Sequence, residues 1–379
     1  MGMGTYLDHA ASTPMRAEAI EAMTPYLDHM YANPSGSHRF AREARKAIDE
    51  ARDLVAATLG CNPGEVVFTS GGTEGDNAAI LGAVRRLGGT AVCPAAEHHA
   101  VLHCVEHVGG VIVRVNNVGT VDLEDLQRVL EEATEEQPIT VVSVMAVNNE
   151  VGSITPMREV ARIVRKYAPQ ALLHTDAVQA ACWVDMREIT PLVDVLALSA
   201  HKFGGPKGMG VMVIKAGKHL EPLILGGGQE RDRRSGTHNV AGIIATAKAL
   251  EVTDATRQEE IVRVRQLRDR LVDEITQALD GVLETVPREQ RVPGVAHVCF
   301  SGLENEALLF LLDQADVYAS AASACASGAM EPSHVLEAMG IERSWSNGAL
   351  RLSLGHTTTE HDIDTAVAAI VSAVNQLRR

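Results

Sequence analysis

The segment of this chain best suited to chemistry is Ser199-Ala-His-Lys202-Phe-Gly-Gly-Pro-Lys-Gly-Met-Gly210. An apolar, strand-like run ends at Ser199 and a glycine-rich loop follows at once. Ligands of α/β proteins sit at the carboxyl edge of the sheet, so Lys202 stands where a ligand could reach its amine. Desolvation there would lower its pKa and make it a Schiff-base nucleophile. The plainer alternative is a surface lysine in a turn.

Thr175-Asp176-Ala-Val-Gln179 also follows a buried strand-like run. A carboxylate at that edge needs a cationic partner. In a pyridoxal-phosphate site the partner is the pyridinium nitrogen, kept protonated so that the ring acts as an electron sink; an Asp capping a turn is the alternative. Ser70-Gly-Gly-Thr-Glu-Gly-Asp-Asn77 joins a strand to a helix. Its glycines let the backbone approach an anion, and the helix start offers free N–H groups to phosphate. It fits neither the dinucleotide fingerprint nor the P-loop pattern.

Glu97-His98-His99-Ala-Val-Leu opens a helix, where an imidazole could stack on a flat cofactor or move protons. His99, His103 and His107 share one helical face, but no cysteine or carboxylate set accompanies them, so solvated histidines are expected rather than a metal site. Ala321-Ala-Ser-Ala-Cys325-Ala-Ser-Gly328 sets one thiol among small residues, as a reactive or a merely structural cysteine. Gly226 to Thr237 is a polar loop rich in glycine and arginine, suited to an anion site or a subunit contact. Arg351 interrupts the apolar run Ala349–Leu354 and needs an anion, either a ligand carboxylate or an internal salt bridge.

The elements that must hold these residues follow from the pattern of apolar runs. Strands are expected at 65–69, 90–93, 111–115, 139–147, 171–175, 193–199 and 209–214, and helices at 73–87, 97–108, 123–133 and 155–167. Continuous apolar strands between helices imply a mostly parallel sheet covered on both faces. The last third reads as a smaller α+β unit: a long charged helix at 257–279, short strands at 295–300, 316–320 and 349–354, and helices at 305–314, 332–339 and 360–377. The expected division is residues 13–255 as a large domain, with 1–12 and 256–379 forming the small one.

Composition narrows the function. The 379 residues are 46% apolar and 22% charged, ordinary for a globular protein with a sizeable core. A net charge of −15 and only 3% aromatics argue against binding nucleic acid through phosphate neutralisation or base stacking. The six cysteines show no regular spacing, so a reducing cytoplasm is the expected compartment. No signal peptide and no apolar run long enough for a membrane span stand out.

Taken in order, these motifs resemble the cysteine desulfurases of the NifS and IscS group. The resemblance runs from Tyr6-Leu-Asp-His-Ala-Ala-Ser-Thr-Pro14 and Asn33-Pro-Ser-Gly-Ser-His38 through Thr69–Glu74, Glu97–Leu102, Val147-Asn-Asn-Glu-Val-Gly152, His174–Gln179 and His201-Lys202. It continues with Gly226–Arg231, Arg234-Ser-Gly-Thr237, Ser323-Ala-Cys325 and Arg351-Leu-Ser-Leu-Gly355.

The resemblance implies a homodimeric fold-type-I pyridoxal 5'-phosphate enzyme, with a large domain built on a seven-stranded, mostly parallel sheet and a smaller α+β domain. It implies that Lys202 holds the cofactor and moves protons, that Asp176 pairs with the ring nitrogen, and that Gln179 and Asn149 approach the ring hydroxyl. His98 would stack on the ring. Thr73, Ser199, His201 and the backbone of Gly72 would hold the phosphate, with Thr237 supplied by the other subunit. Arg351 and Asn33 would bind the carboxylate of L-cysteine. Cys325 would take the sulfur as a persulfide and pass it to an acceptor protein such as an iron–sulfur scaffold. Gly75 stands where many relatives carry Ser, which is expected to matter only for the helix start. A selenocysteine lyase or another carbon–sulfur lyase on this fold is the alternative, and Cys325 discriminates against it.

Overall fold

The structure is a computed structural model that describes residues 4–321 and 333–379. Its strands are β1 (Thr5–Tyr6), β2 (Val66–Thr69), β3 (Thr90–Pro94), β4 (Val111–Val113), β5 (Ile139–Ser143), β6 (Leu172–Asp176), β7 (Val195–Ser199), β8 (Gly210–Ile214), β9 (Val282–Glu284), β10 (Val295–Phe300), β11 (Val317–Tyr318) and β12 (Ala349–Ser353). Seven of them form one sheet in the order β2-β8-β7-β6-β5-β3-β4. All neighbours run parallel except β2 with β8 and β8 with β7. The antiparallel turn from β7 into β8 accounts for the missing helix between those two strands: a hairpin-like return needs no crossover.

The central strands β5, β6, β7 and β8 are buried along their whole length. That is why they read as continuous apolar runs rather than as an alternation. The helix Gly72–Leu87 buries Gly72, Gly75, Asp76, Ala79, Ile80 and Ala83, a stripe at helical spacing that lies on the sheet. Gly75 does more than start this helix. A Cβ there would lie 2.9 Å from the Cβ of Ala197 on β7, so glycine sets how closely the helix meets the strand that leads to Lys202.

Two boundaries differ from the sequence expectation for visible reasons. β5 ends at Ser143, not Val147, because the chain leaves the sheet for a turn in which Asn148 Oδ1 accepts from the N–H groups of Glu150 and Val151. The long helix is Val240–Ala278, starting well before residue 257. Its first half is rich in small residues, and Ile243, Ala245, Ala247, Ala249 and Leu250 are buried in the core under the large sheet. Its second half places Val264, Leu267, Leu271, Val272 and Ile275 in another core. That second core also takes in Leu7, β10, β12 and the helix Glu360–Leu377. The three-stranded sheet is ordered β12-β10-β9, and β1 pairs in parallel with β11. The N-terminal segment then crosses from this region to the edge of the large sheet, where the backbone N–H of Thr13 bonds to the carbonyl of His201.

Candidate active site

A cavity of about 260 Å³ opens at the carboxyl edge of the large sheet. It is lined by residues from five separate motifs: Gly72 and Thr73, His98, Asn149, Asp176 and Gln179, then Ser199, His201 and Lys202. Arg351 from β12 and Ala10 and Ala11 from the N-terminal segment close it. Strand ends gather here because parallel strands all finish on one side.

One end of the cavity is made for an anion. The helix Gly72–Leu87 starts there, so its first backbone N–H groups have no helical partners. A Cβ on Gly72 would lie 2.5 Å from Val178 Cγ2, so only glycine lets this turn approach the opposite wall. The side chains of Thr73, Ser199 and His201 line the same cavity. His201 Nδ1 lies 3.3 Å from Ser12 Oγ.

The other end carries the charges. Asp176, 6% exposed, accepts one hydrogen bond from the N–H of Val178 at 2.8 Å. Burial raises its pKa, while His98, that N–H and Lys202 act to lower it. Lys202 Nζ donates to the carbonyls of Ala10 at 2.6 Å and Ala11 at 2.8 Å. Burial, then the charge of Arg351, pull its pKa down to about 8 against the opposing effects of Asp176 and Asp8. Gln179 Nε2 donates to the same Ala10 carbonyl at 2.8 Å. His98 caps the helix His99–His107, its Nδ1 accepting from the N–H of Ala100. Asn149 Oδ1 is buried without a hydrogen-bond partner among the described residues.

Arg351 takes up the internal salt bridge that the sequence left open. Its Nη2 donates to Asp8 Oδ1 at 2.7 Å and its Nη1 to the carbonyl of Asn149 at 2.8 Å, while Nε has no partner among the described residues. Asp8 therefore competes with any carboxylate ligand for this guanidinium. Neither Asp8 nor the two alanine carbonyls had been assigned a role from the sequence.

Two expected residues stand apart from the cavity, and a third falls outside the described residues. Asn33 is exposed, its Oδ1 accepting from the N–H of Ser35. Thr237 is exposed and lines a separate hollow with Thr69, Ser70 and Arg234. Cys325 lies outside the described residues. The face carrying Thr237 is held by a buried knot. Arg52 grips Glu230 with two nitrogens at 2.8 and 2.6 Å, and the N–H of Phe68 and the ring of His238 complete the carboxylate's partners. Glu230, Arg231 and Asp232 all have positive φ, a run that costs energy and that the knot must over-determine.

Burial by itself would raise the Glu230 pKa, but His238 and Arg52 outweigh it and bring it to about 2. A carboxylate held below its unfolded value of roughly 4.3 contributes stability that is complete above that pH. The contribution is lost as pH falls toward about 2. Glu230→Gln, which leaves Arg52 buried without a counter-charge, is expected to cost about 3–5 kcal/mol at pH 7. Urea unfolding at pH 7 and pH 3 checks this: the gap between wild type and variant should narrow at the lower pH.

His99 stacks on His103 with ring centres 4.6 Å apart and lies 4.5 Å from the ring of His334. Among the described residues no group of three or more metal-type ligands converges anywhere.

The cavity suits a flat, phosphorylated, aromatic cofactor. It offers a helix-start anion site, a buried carboxylate and an amine within one space, plus the unpartnered Asn149 Oδ1. Residues 5–366 match the family described as aminotransferase class-V. The chain is 40% identical over 381 residues to the cysteine desulfurase IscS of Dictyoglomus turgidum, covering 98% of this chain and 95% of the relative. It is 40% identical over 391 residues to an IscS-like cysteine desulfurase of Mycobacterium tuberculosis, covering 99% and 97%. Among solved structures, a NifS-like protein superposes with a TM-score of 0.91 at 34% identity, covering 99% of this chain and 100% of that one. A structure titled SspA in complex with cysteine superposes with a TM-score of 0.77 at 29% identity, covering 92% and 98%.

Proposed function

Since the chain belongs to the aminotransferase class-V family and is a pyridoxal 5'-phosphate-dependent cysteine desulfurase, we propose that the cavity around Lys202 converts L-cysteine to L-alanine and passes the sulfur to Cys325. The observation that carries this reading is the meeting of the Lys202 amine, the Asp176 carboxylate and the helix start at Gly72 in one cavity. Bound there, pyridoxal phosphate would supply an aldehyde for amine exchange and a ring that stabilises negative charge at the substrate α-carbon.

The chain's own residues divide the remaining work. The N–H groups at Gly72 and Thr73, with the side chains of Thr73, Ser199 and His201, would hold the phosphate. Asp176 would hold a proton on the ring nitrogen by its negative charge. Gln179 and Asn149 would approach the ring hydroxyl, and His98 would stack on the ring. Arg351 exchanges Asp8 for the substrate carboxylate. Lys202 Nζ, with its pKa lowered to about 8, takes the proton from the α-carbon and later returns one to the carbon that becomes the alanine methyl group. The Cys325 thiolate attacks the substrate sulfur; an S–S bond forms as the C–S bond breaks.

A homodimer completes the site in this reading. Pro34 and Ser35 line one hollow together with Gly227 to Arg231 and His238. One face therefore presents the Asn33 segment and the Thr237 loop, and a second copy's cavity would receive them. The final acceptor is a protein thiol, such as that of an iron–sulfur scaffold, and the compartment is the cytoplasm; no described helix is long and apolar enough to cross a membrane.

The test is activity on mixing two damaged proteins, Lys202→Ala and Thr237→Ala. If Thr237 serves the other subunit, each heterodimer contains one intact site and one doubly damaged site, and alanine production returns. Activity no higher than the sum of the two parents would place Thr237 in its own chain's site or in none.

A further inference from the structure

Beneath Asp176 lies a chain of polar groups that the reaction above does not use. Ser143 and His174 are 0% exposed and Asp76 is 1% exposed. Ser143 Oγ and His174 Nδ1 are 2.8 Å apart. On the other side of the ring, His174 Nε2 faces Asp76 Oδ1 at 3.5 Å, and neither atom has a hydrogen-bond partner among the described residues. The order Ser–His–Asp is that of a nucleophile triad, but a fully enclosed Ser143 meets no substrate. Asp76, in contrast, lines the cofactor cavity together with Asp176.

A carboxyl oxygen and an imidazole nitrogen facing each other in a dry place need one proton between them. If it rests on His174, Asp76 is a carboxylate. If it rests on Asp76, the pair is neutral and the Nδ1–H donates to Ser143. The surroundings choose. The groups facing Asp76 are Asp176 and His174 on β6, Glu97 just before the helix His99–His107 and Cys104 on that helix. Burial, and then repulsion from Asp176 and Glu97, push Asp76 well above the usual carboxylate range, and burial pushes Glu97 well above it too. Burial raises Asp176 as well, but His98, a backbone N–H and Lys202 act against it. Burial holds His174 neutral, with a pKa of about 3. Two buried carboxyls close together resist ionising at once, and their surroundings set which one does.

We propose that Asp76 is a positioning residue of the cofactor site: it keeps the proton it shares with His174, stays uncharged, and leaves Asp176 as the single carboxylate facing the cofactor's ring nitrogen. The proposal rests on the reading of Asp176 as that nitrogen's partner.

The test uses the full-length chain carrying ¹³C in its aspartate carboxyl groups only, which keeps Glu97 out of the spectrum. Isotope-edited infrared spectra of the cofactor-free protein at pH 7 should show a protonated aspartic acid that disappears in Asp76→Asn. In Asp176→Asn, relief of the like charge should move the titration of that acid down by at least about one pH unit. Pyridoxal-phosphate affinity, read from visible absorbance, should fall about ten- to a hundredfold in Asp176→Asn, as expected for a lost hydrogen bond to a charged group, and clearly less in Asp76→Asn.

A spectrum with every aspartate ionised at pH 7 overturns the proposal, and this wild-type measurement decides even if Asp76→Asn does not fold. An equal loss of affinity in the two variants overturns it too, because Asp76 would then itself be the charged partner. A protonated Asp76 beside an unimpaired Asp176→Asn would instead overturn the assignment of Asp176, and with it this division of labour.

Discussion

Lys202→Ala is expected to lower kcat for alanine formation by at least about 10³-fold while leaving the fold intact, since it removes both the covalent anchor and the proton carrier. Lys202 Nζ donates only to the carbonyls of Ala10 and Ala11 among the described residues, so its loss breaks no hydrogen-bonded ion pair. Thermal unfolding of the cofactor-free variant should match wild type closely. Cofactor should still enter, held by the phosphate and ring contacts, but gel filtration should remove it and borohydride should no longer fix it. Lys202→Arg is expected to fail equally, because a guanidinium stays protonated and cannot act as a nucleophile or base. In wild type, the rate of pyridoxal-phosphate capture should rise with pH through about 8, where the amine loses its proton. An ordinary lysine would give that rise near 10.4. Turnover within tenfold of wild type in Lys202→Ala would sink the central assignment.

The site was legible in the sequence wherever one residue type does one job at a strand end. Lys202, Asp176 and Gly72 each follow an apolar run directly, and the parallel sheet brings such ends to one edge. What stayed hidden has no side-chain signature. The carbonyls of Ala10 and Ala11 hold the lysine, and a carbonyl is present at every residue. Asp8 meets Arg351 across 343 positions of chain, a pairing set by the small sheet and the N-terminal crossing rather than by spacing. Asp76 lies inside a quoted motif that says nothing of it; its burial against His174 on β6 is set by the fold and not by spacing.

The fold shows the same division. The strands were readable because full burial makes them uniformly apolar. The first half of the helix Val240–Ala278 was not, because alanines, glycine and threonines that pack closely against other elements give little apolar periodicity. Gly75 is expected from the sequence to matter only for the helix start, although its missing Cβ sets a helix-to-strand distance. A glycine that sits under a neighbour and one that merely bends the chain look alike in a sequence.

Cys325→Ser is expected to stop sulfur transfer while leaving the earlier half of the reaction in place. The cofactor and carboxylate contacts proposed for Lys202, Asp176 and Arg351 do not involve position 325, so cysteine should still bind and perturb the visible spectrum. Sulfide release and persulfide formation should fall by about 10²–10⁴-fold, the range for loss of one essential catalytic group. The five described cysteines make the contrast sharp. Burial pushes Cys61 and Cys299 up to about 12 and Cys104 and Cys182 up to about 11, and it raises Cys93 as well. At neutral pH these are thiols, and the attacking species must be a thiolate. Cys182 is the most instructive control, because its Sγ lies 3.4 Å from the carbonyl of Lys202 and yet it is held protonated. Cys182→Ser and Cys61→Ser should therefore leave sulfur transfer largely intact. Mass spectrometry after one exposure to cysteine decides the matter: a gain of one sulfur atom is expected on the peptide containing Cys325. Sulfur found on another cysteine, or undiminished sulfide release by Cys325→Ser, would move the nucleophile elsewhere in the chain.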